Sequence, residues 1–249
     1  MSVLEALAIV GVGLVAGTIN TIVGSGSLIT FPTLLAFGFS PVVANVSNTV
    51  GLAPGSLSGA IAYRRELEGQ RPRLLVLGTA SLTGGVTGAV LLLALPGSVF
   101  RHVVPVLILV ACVLVALQPR LSRRLADRQQ PPLHGGVPLF LSVFATGVYG
   151  GYFGAAQGVI LMSLLGIFLD DQLQRLNAAK NVLALCANGT SALLFICVTH
   201  IAWEAALLIA AGSIVGGQIG GVLGRRVPAP LLRVVIIIVG LTAAVVLLV

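Results

Sequence analysis

Lys180 is the residue of this chain whose chemistry most requires a partner. It is the only lysine among fourteen basic residues, and it lies in an apolar run, Asn177 to Val198, that contains no acidic residue. The seven acidic residues all lie at segment ends or in connections. A cation at bilayer depth is costly, so a lysine in such a run indicates a functional site. No protein carboxylate is placed to neutralise Lys180, whereas a bound anion could.

Other polar side chains share a helix face with Lys180. With about 100° between successive residues, a stripe about 100° wide contains Asn177, Lys180, Asn181, Asn188 and Ser191. Amides in hydrocarbon must find partners, so we expect the stripe to face the protein interior. The asparagines alone fit two roles equally: ligand binding, or hydrogen bonds between helices worth about 0.5–2 kcal/mol per pair. The lysine among them favours binding.

Two glycine-rich breaks offer a second kind of anion site. Gly24-Ser25-Gly26-Ser27 precedes a short apolar segment, Leu28–Phe39, and Gly154 to Gly158 precedes another, Val159–Leu169. A break that leads into a helix exposes unpaired N–H groups at the positive end of the helix dipole. Short, glycine-interrupted segments at matching places in two halves indicate a transport site. The alternative is a tight turn or a close helix crossing that needs small residues.

The elements that position these residues follow from composition. With 57% hydrophobic residues, 8% charged residues and a mean hydropathy of +1.09, the chain is predicted to be an all-α polytopic membrane protein. Apolar runs between breakers give five segments in each half. They are Val3–Val23, Leu28–Phe39, Val42–Tyr63, Leu74–Leu95 and Phe100–Leu117, then Val137–Phe153, Val159–Leu169, Asn177–Val198, Trp203–Leu223 and Leu231–Val249. The predicted organisation is a first repeat over 1–117, a basic cytoplasmic linker over 118–136 and a second repeat over 137–249.

The two halves resemble each other, and their charges exchange places. Superposing Gly84-Gly85 on Gly216-Gly217 also brings Gly88 onto Gly220. In that register the basic loop of each half falls on an apolar stretch of the other, which predicts an inverted-topology repeat, an architecture typical of transporters. The equivalent polar stripe carries Asn45, Asn48, Thr49, Ser56 and Gly59, so that Asn48 corresponds to Lys180. A duplicated bundle with a purely structural role is the alternative.

The arginine-bearing loops predict how the chain lies in the membrane. The positive-inside rule places three of them in the cytoplasm, and both termini then lie outside. These loops contain Arg64, Arg65, Arg71 and Arg73, then the linker, then Arg225–Arg226. We therefore expect a multi-pass protein of the cell (inner or plasma) membrane.

Several function classes lack the residues they need. No Ser/His pair shares a segment core and no metal-binding cluster occurs, which argues against an enzyme and predicts no cofactor. The three cysteines have no CxxC spacing, and no basic patch interleaved with aromatic residues suggests nucleic-acid binding. The predicted partners are the lipid bilayer and a small anion, and a homodimer is left open.

The glycine motifs and the lysine segment resemble the TauE/SafE sulfite exporter family, also called the toluene sulfonate uptake permease family. The resemblance is carried by Gly17 to Pro32, by the returning copy Gly147 to Gly158, and by Asn177-Ala-Ala-Lys180-Asn181. It covers essentially the whole chain, with Ser27 where many members carry another glycine. It implies a secondary transporter that exports sulfite or an organosulfonate, driven by the proton gradient.

Combining residues and resemblance, we expect export by alternating access. A passive anion channel, or a transporter of another small organic anion, is the alternative. The spans hold no carboxylate to carry a proton, so a protonated substrate such as bisulfite would carry it. The predicted substrate-binding residues are Lys180, Asn177, Asn181, Asn188, Asn20, Gly24, Ser25, Gly26, Ser27, Asn48, Gln157 and Gly154.

Overall fold

The computed structural model describes residues 2–126 and 136–224, together with single positions 234, 237, 238 and 241. Within these residues the chain is helical and contains no strand, which confirms the all-α membrane architecture. The helices are α1 (Val3–Ile22), α2 (Ser27–Ala36), α3 (Pro41–Ala62), α4 (Arg71–Ala94), α5 (Gly97–Ala126), α6 (Gly136–Tyr152), α7 (Gln157–Phe168), α8 (Leu173–Val198) and α9 (Trp203–Leu223), with one 3-10 turn at Arg64–Leu67.

The helix boundaries follow the predicted segments closely, with one extension. Helix α5 continues through Ala126, into the stretch predicted as the linker from position 118. The rest of that linker, residues 127–135, and nearly all of the tenth predicted segment, Leu231–Val249, lie outside the described residues, as do Arg225–Arg226.

Helix lengths separate spanning elements from short ones. Among the described helices, α1, α4, α8, α9 and the first 21 residues of α5 are long and apolar enough to cross a membrane. Helices α2 and α7 have 10 and 12 residues, so they extend about 15 and 18 Å and fall short of a hydrocarbon core of about 30 Å. Helix α3 has 22 residues, carries the first polar stripe and packs against α8 and α9 at the centre of the bundle.

Glycines allow the two most extensive helix pairs, α1 with α9 and α4 with α6, to pack backbone against backbone. A Cβ placed on Gly88 would lie 2.0 Å from the carbonyl oxygen of Val148, and one on Gly216 would lie 2.1 Å from that of Leu14. Small residues at interfaces are how membrane helices gain close packing. Each half therefore binds the other through its first and fourth helices.

This packing predicts opposite outcomes for two helical glycines. Gly88→Ala places a methyl group against a backbone oxygen that cannot move aside, so we expect a loss of about 1–3 kcal/mol. A Cβ placed on Gly11 of α1 would meet no atom of the described part of the chain within 4 Å, so Gly11→Ala should gain about 0.5–1 kcal/mol from helix propensity. Thermal unfolding in detergent measures both, and equal melting temperatures would contradict the packing.

Two connections identify the ends of the bundle. The side chain of Gln70 donates from Nε2 to the carbonyl oxygen of Arg175 at 3.0 Å, so the α3–α4 and α7–α8 connections lie together. We call this the arginine end, after Arg64, Arg65, Arg71 and Arg73. At the opposite end, Ala202 in the α8–α9 connection donates its N–H to Oγ of Ser47 at 3.0 Å.

Candidate functional site

The two glycine breaks contact each other. Helix α1 ends at Ile22 and α6 at Tyr152. After each helix the backbone turns at a glycine with positive φ, +88° at Gly24 and +76° at Gly154. Gly158, in the first turn of α7, donates its N–H to the carbonyl oxygen of Gly24 at 3.0 Å. Two breaks that are far apart in sequence thus meet in one place, as a site shared between the halves requires.

Lys180 lies beside the first break and binds backbone oxygens. Its side chain is buried, at 1% exposure, and Nζ donates to the carbonyl oxygens of Thr21 at 3.0 Å and Asn20 at 3.2 Å. Val23 and Gly24 both donate their N–H groups to the carbonyl oxygen of Ile19. The carbonyl oxygens that Lys180 binds therefore receive no hydrogen bond from these two N–H groups. A cation is favoured there because the C-terminal end of a helix is its negative end. Lys180 therefore caps α1.

Two asparagines of the stripe converge on the same helix end. Asn177 and Asn181 each donate from Nδ2 to the carbonyl oxygen of Thr21, at 3.4 and 3.3 Å. The stripe faces the interior as predicted, and these donors act between helices. Sequence reasoning missed Thr21, although it directly follows Asn20 in the first glycine motif.

The first half contains a related arrangement without a cation. Asn45, the counterpart of Asn177, donates from Nδ2 to the carbonyl oxygen of Tyr152 at 3.0 Å, at the end of α6. Asn48, the counterpart of Lys180, accepts a hydrogen bond at Oδ1 from the hydroxyl group of Thr30 on α2. An asparagine on the third helix of each half thus binds the end of the broken helix of the other half.

Ser25 and Gln157 stand out because their polar atoms are buried without partners. Ser25 is 1% exposed and Gln157 is 2% exposed, yet Oγ of Ser25 and both amide atoms of Gln157 have no hydrogen-bond partner among the described residues. Each such group costs about 1–3 kcal/mol when it stays unpaired. Because Ser25 follows Gly24 and Gln157 precedes Gly158, these unpaired groups flank the contact between the breaks.

The remaining predicted residues surround the same contact. Asn188 is half-buried, forms no hydrogen bond with the described residues, and has its Oδ1 3.7 Å from where a Cβ on Gly154 would lie. Asn20 donates from Nδ2 to Oγ of Ser56 at 3.3 Å. Gly26 is buried and precedes α2, whose first residue is the half-buried Ser27. The structure therefore brings all of the predicted residues to the two breaks or to the helix ends beside them.

The site combines neutral hydrogen-bond donors with the end of α1, which Lys180 caps. At the starts of α2 and α7, the N–H groups from Leu28 to Thr30 and from Gln157 to Ile160 already bind backbone oxygens. The free N–H groups expected there are thus taken, and the buried donors without a partner among the described residues are the hydroxyl of Ser25 and the amide of Gln157. In the part of the chain that the structure describes, no group of three His, Cys, Asp or Glu residues could hold a metal ion. The arrangement therefore offers neutral hydrogen-bonding groups beside a helix end that carries a lysine.

Known proteins resemble this chain over most of its length. The family model described as "Sulfite exporter TauE/SafE" matches residues 9–247. "Probable membrane transporter protein YfcA" of Escherichia coli (strain K12) is 28% identical over 229 residues, covering 92% of this chain and 84% of that protein. A "Probable membrane transporter protein" of Haemophilus influenzae is 28% identical over 227 residues, covering 91% of this chain and 88% of the relative. No solved structure matches the chain.

Proposed function

The chain belongs to the sulfite exporter TauE/SafE family, and from this we propose that it exports a small sulfur oxyanion, sulfite or an organosulfonate, by alternating access driven by the proton gradient. The family and its relatives show that the protein is a multi-pass membrane transporter and not an enzyme. The observation that carries the proposal is the pair of buried side chains, Ser25 and Gln157, at the contact between the two breaks, since neither has a hydrogen-bond partner among the described residues.

In this proposal the anion binds to neutral donors. The hydroxyl of Ser25 and the amide of Gln157 donate to its oxygens. The starts of α2 and α7 lie beside these donors, and the positive ends of the two helix dipoles favour an anion there. The half-buried amide of Asn188 is the further donor that the structure leaves unpaired near Gly154.

In this proposal, Lys180 favours the anion through its charge, without contacting it directly. Without it, the negative end of α1 would face the site, and an approaching anion would be repelled. With Nζ bound to Asn20 and Thr21, the charge of the lysine offsets that end and leaves a net positive potential. The proposed role of Lys180 is therefore electrostatic, with Asn177 and Asn181 fixing the same carbonyl oxygen.

The directions of the helices support an inverted repeat and, with it, alternating access. Gly13 and Gly17 of α1 approach Ile209 and Ser213 of α9 in the same order, so α1 starts at the opposite end, where α9 starts. Gly147 of α6 approaches Ser81 of α4 in the parallel pairing of α4 with α6, so α6 starts at the arginine end. We place that end in the cytoplasm of a cell that carries the protein in its inner or plasma membrane, with both termini outside.

The proton in this scheme travels with the substrate. Glu5 and Glu204 lie in the first turns of α1 and α9, far from the breaks near the other ends of those helices. A protonated monoanion such as bisulfite would be driven outward by the electrical part of the proton gradient, since the membrane potential is negative inside. The proton that it carries would make its flux depend on the pH gradient without a carboxylate in the spans. Flux of sulfite in proteoliposomes should then respond to an imposed pH gradient, and an insensitive flux would overturn the coupling.

The transport proposal is tested with purified protein in liposomes. Sulfite, sulfoacetate, thiosulfate and sulfate are supplied in turn, and uptake and counterflow are measured. Counterflow of a sulfur oxyanion is expected, whereas conductance without counterflow would indicate a passive channel. Movement of a neutral solute or a cation, but of no sulfur oxyanion, would overturn the proposal.

Ser25→Ala separates binding from stability. The substitution removes a buried hydroxyl that has no partner among the described residues, so the melting temperature should stay the same or rise slightly. Transport should weaken by about tenfold, the effect of one lost hydrogen bond of about 1.4 kcal/mol. Ser142→Ala is the control, because that hydroxyl bonds within its own helix to Pro138 at 2.8 Å. Equal transport by both variants would remove Ser25 from the site.

A further inference from the structure

A polar cluster at the arginine end joins the two halves of the chain. Asp171, in the α7–α8 connection, accepts hydrogen bonds from Nη2 of Arg73 and from Nε of Arg175, both at 2.8 Å. Gln70 donates to the carbonyl oxygen of Arg175 at 3.0 Å and accepts a hydrogen bond from Arg73. We call Gln70, Arg73, Asp171 and Arg175 the clasp. It links α4 and the connection before it to the start of α8.

The clasp is partly shielded from water and stays charged. The side chains of Arg73 and Asp171 are 16% and 14% exposed, and Gln70 is 2% exposed. Burial by itself raises the pKa of Asp171, but hydrogen bonds from Arg73 and the Gln172 amide, with the charge of Arg175, hold that pKa below its usual value. The carboxylate therefore stays ionised through the neutral range, and its two ion pairs persist there.

Further contacts extend the clasp along both connections. Arg175 donates from Nη1 to the carbonyl oxygen of Glu68 at 3.0 Å, and Gln70 donates to that of Glu66 at 2.7 Å. Lys180 lies five residues beyond Arg175 on α8, about 8 Å along the helix axis. The clasp thus holds together the two connections that form the arginine end, about one and a half turns of α8 from Lys180.

The opposite end closes with different chemistry. There the rings of Phe31, Phe100 and Phe153 pack edge to face, with centroids 5.3–6.5 Å apart. The connection there is held by the hydrogen bond from Ala202 to Ser47, whereas the two ion pairs of Asp171 lie at the arginine end. The two ends therefore differ in what must separate when each one opens.

We propose that the clasp is the gate at the arginine end. Its contacts between the halves, namely the ion pair of Asp171 with Arg73 and the hydrogen bonds that join Arg175 to Gln70 and Glu68, must break before the site opens to that side. The proposal rests on the alternating-access function proposed above. Because Asp171 belongs to the second half and Arg73 to the first, movement of the halves past each other separates these charges. Removing the carboxylate charge should shift the population toward the state open at the arginine end.

Access to the site gives a readout that does not depend on the substrate. Cys112, Cys186 and Cys197 are replaced by alanine and one cysteine is introduced as Ser25→Cys, a near-isosteric reporter within the site. A membrane-impermeant thiol reagent is then added from either side of oriented vesicles. Ala184→Cys, on α8 one turn beyond Lys180 and 7% exposed, is a second reporter if the first variant does not fold.

Asp171→Asn and Asp170→Asn are compared in this background. Both remove one carboxylate charge at neighbouring positions, but Asp170 is exposed and forms no hydrogen bond among the described residues. Asp171→Asn should raise labelling from the arginine end by about threefold or more and lower labelling from the opposite end. Asp170→Asn should leave both rates unchanged.

Two outcomes overturn the gate. Equal labelling in both variants would show that the clasp does not control access, and a lower melting temperature without any change in labelling would make it a purely structural contact. Failure of the proposed function is a separate result, namely no flux of any sulfur oxyanion by the unmodified protein. The labelling comparison remains decisive for the gate in that case.

Discussion

Lys180→Met is expected to destabilise the protein by roughly 3–6 kcal/mol and to abolish transport. Hydrogen bonds to a charged group contribute about 1.5–3 kcal/mol each, and the lysine makes two, to Asn20 and Thr21. Methionine fills a similar volume but leaves both carbonyl oxygens without their charged donor at the end of α1. Thermal unfolding in detergent and flux in proteoliposomes measure the two effects.

The matched comparison for this prediction is Asn181→Leu. That change removes one neutral hydrogen bond, at 3.3 Å, to the same oxygen of Thr21, and should cost about 0.5–1.5 kcal/mol. A Lys180→Met variant as stable as the unmodified protein would show that the lysine does not cap α1.

Substrate-dependent stabilisation distinguishes a cap from a direct contact. If Lys180 acts only through its charge and does not contact the anion, Lys180→Arg keeps that charge and should retain part of the stabilisation by sulfite. If Lys180 instead contacts the anion directly as its main partner, sulfite should stabilise the unmodified protein but neither Lys180→Met nor Lys180→Arg. Melting temperatures measured with and without sulfite, sulfate, sulfoacetate and thiosulfate separate the two cases.

The sequence predicts the helices well, and it predicts which polar residues lie beside the two breaks, because both depend on local chemistry. Clusters of glycine such as those around Gly24 and Gly154 favour the end of a helix, and a stripe of amides within hydrocarbon must face inward. The same rules place Ser25 and Gln157 at helix starts. The predicted α5 is too short, since its continuation to Ala126 runs through a polar, arginine-bearing stretch that apolar periodicity does not detect.

The partners of these residues could not be predicted in the same way. Lys180 binds backbone oxygens, and the sequence pattern does not show which carbonyl groups a fold leaves unpaired. The expectation of a missing counter-ion rests on counting carboxylates alone. The contact of Gly24 with Gly158 likewise depends on how two distant hairpins pack, although both glycines belong to the motifs that carry the family resemblance.

Gly24→Ala is expected to prevent folding or to abolish transport, because it disrupts the contact on which the site is built. A Cβ on Gly24 would lie 2.2 Å from the Cα of Gly158 and 2.7 Å from its carbonyl carbon. These are backbone atoms, so relief requires that the two breaks move apart. The positive φ of +88° adds about 1–2 kcal/mol of strain for any residue with a Cβ.

Gly38→Ala is the control that distinguishes the steric contact from the conformational strain. Gly38 has a positive φ like that of Gly24, but it does not lie against another backbone segment of the described residues. Its φ is +86°, and none of the described residues lies within 4 Å of a Cβ placed there. Gly38→Ala should therefore lose only the conformational term of about 1–2 kcal/mol and keep its transport. The extra loss in Gly24→Ala measures how closely the two breaks must approach. If both variants lost the same stability and kept the same flux, the halves would not share a site at Gly24 and Gly158, and the donors of Ser25 and Gln157 would have to serve separate purposes.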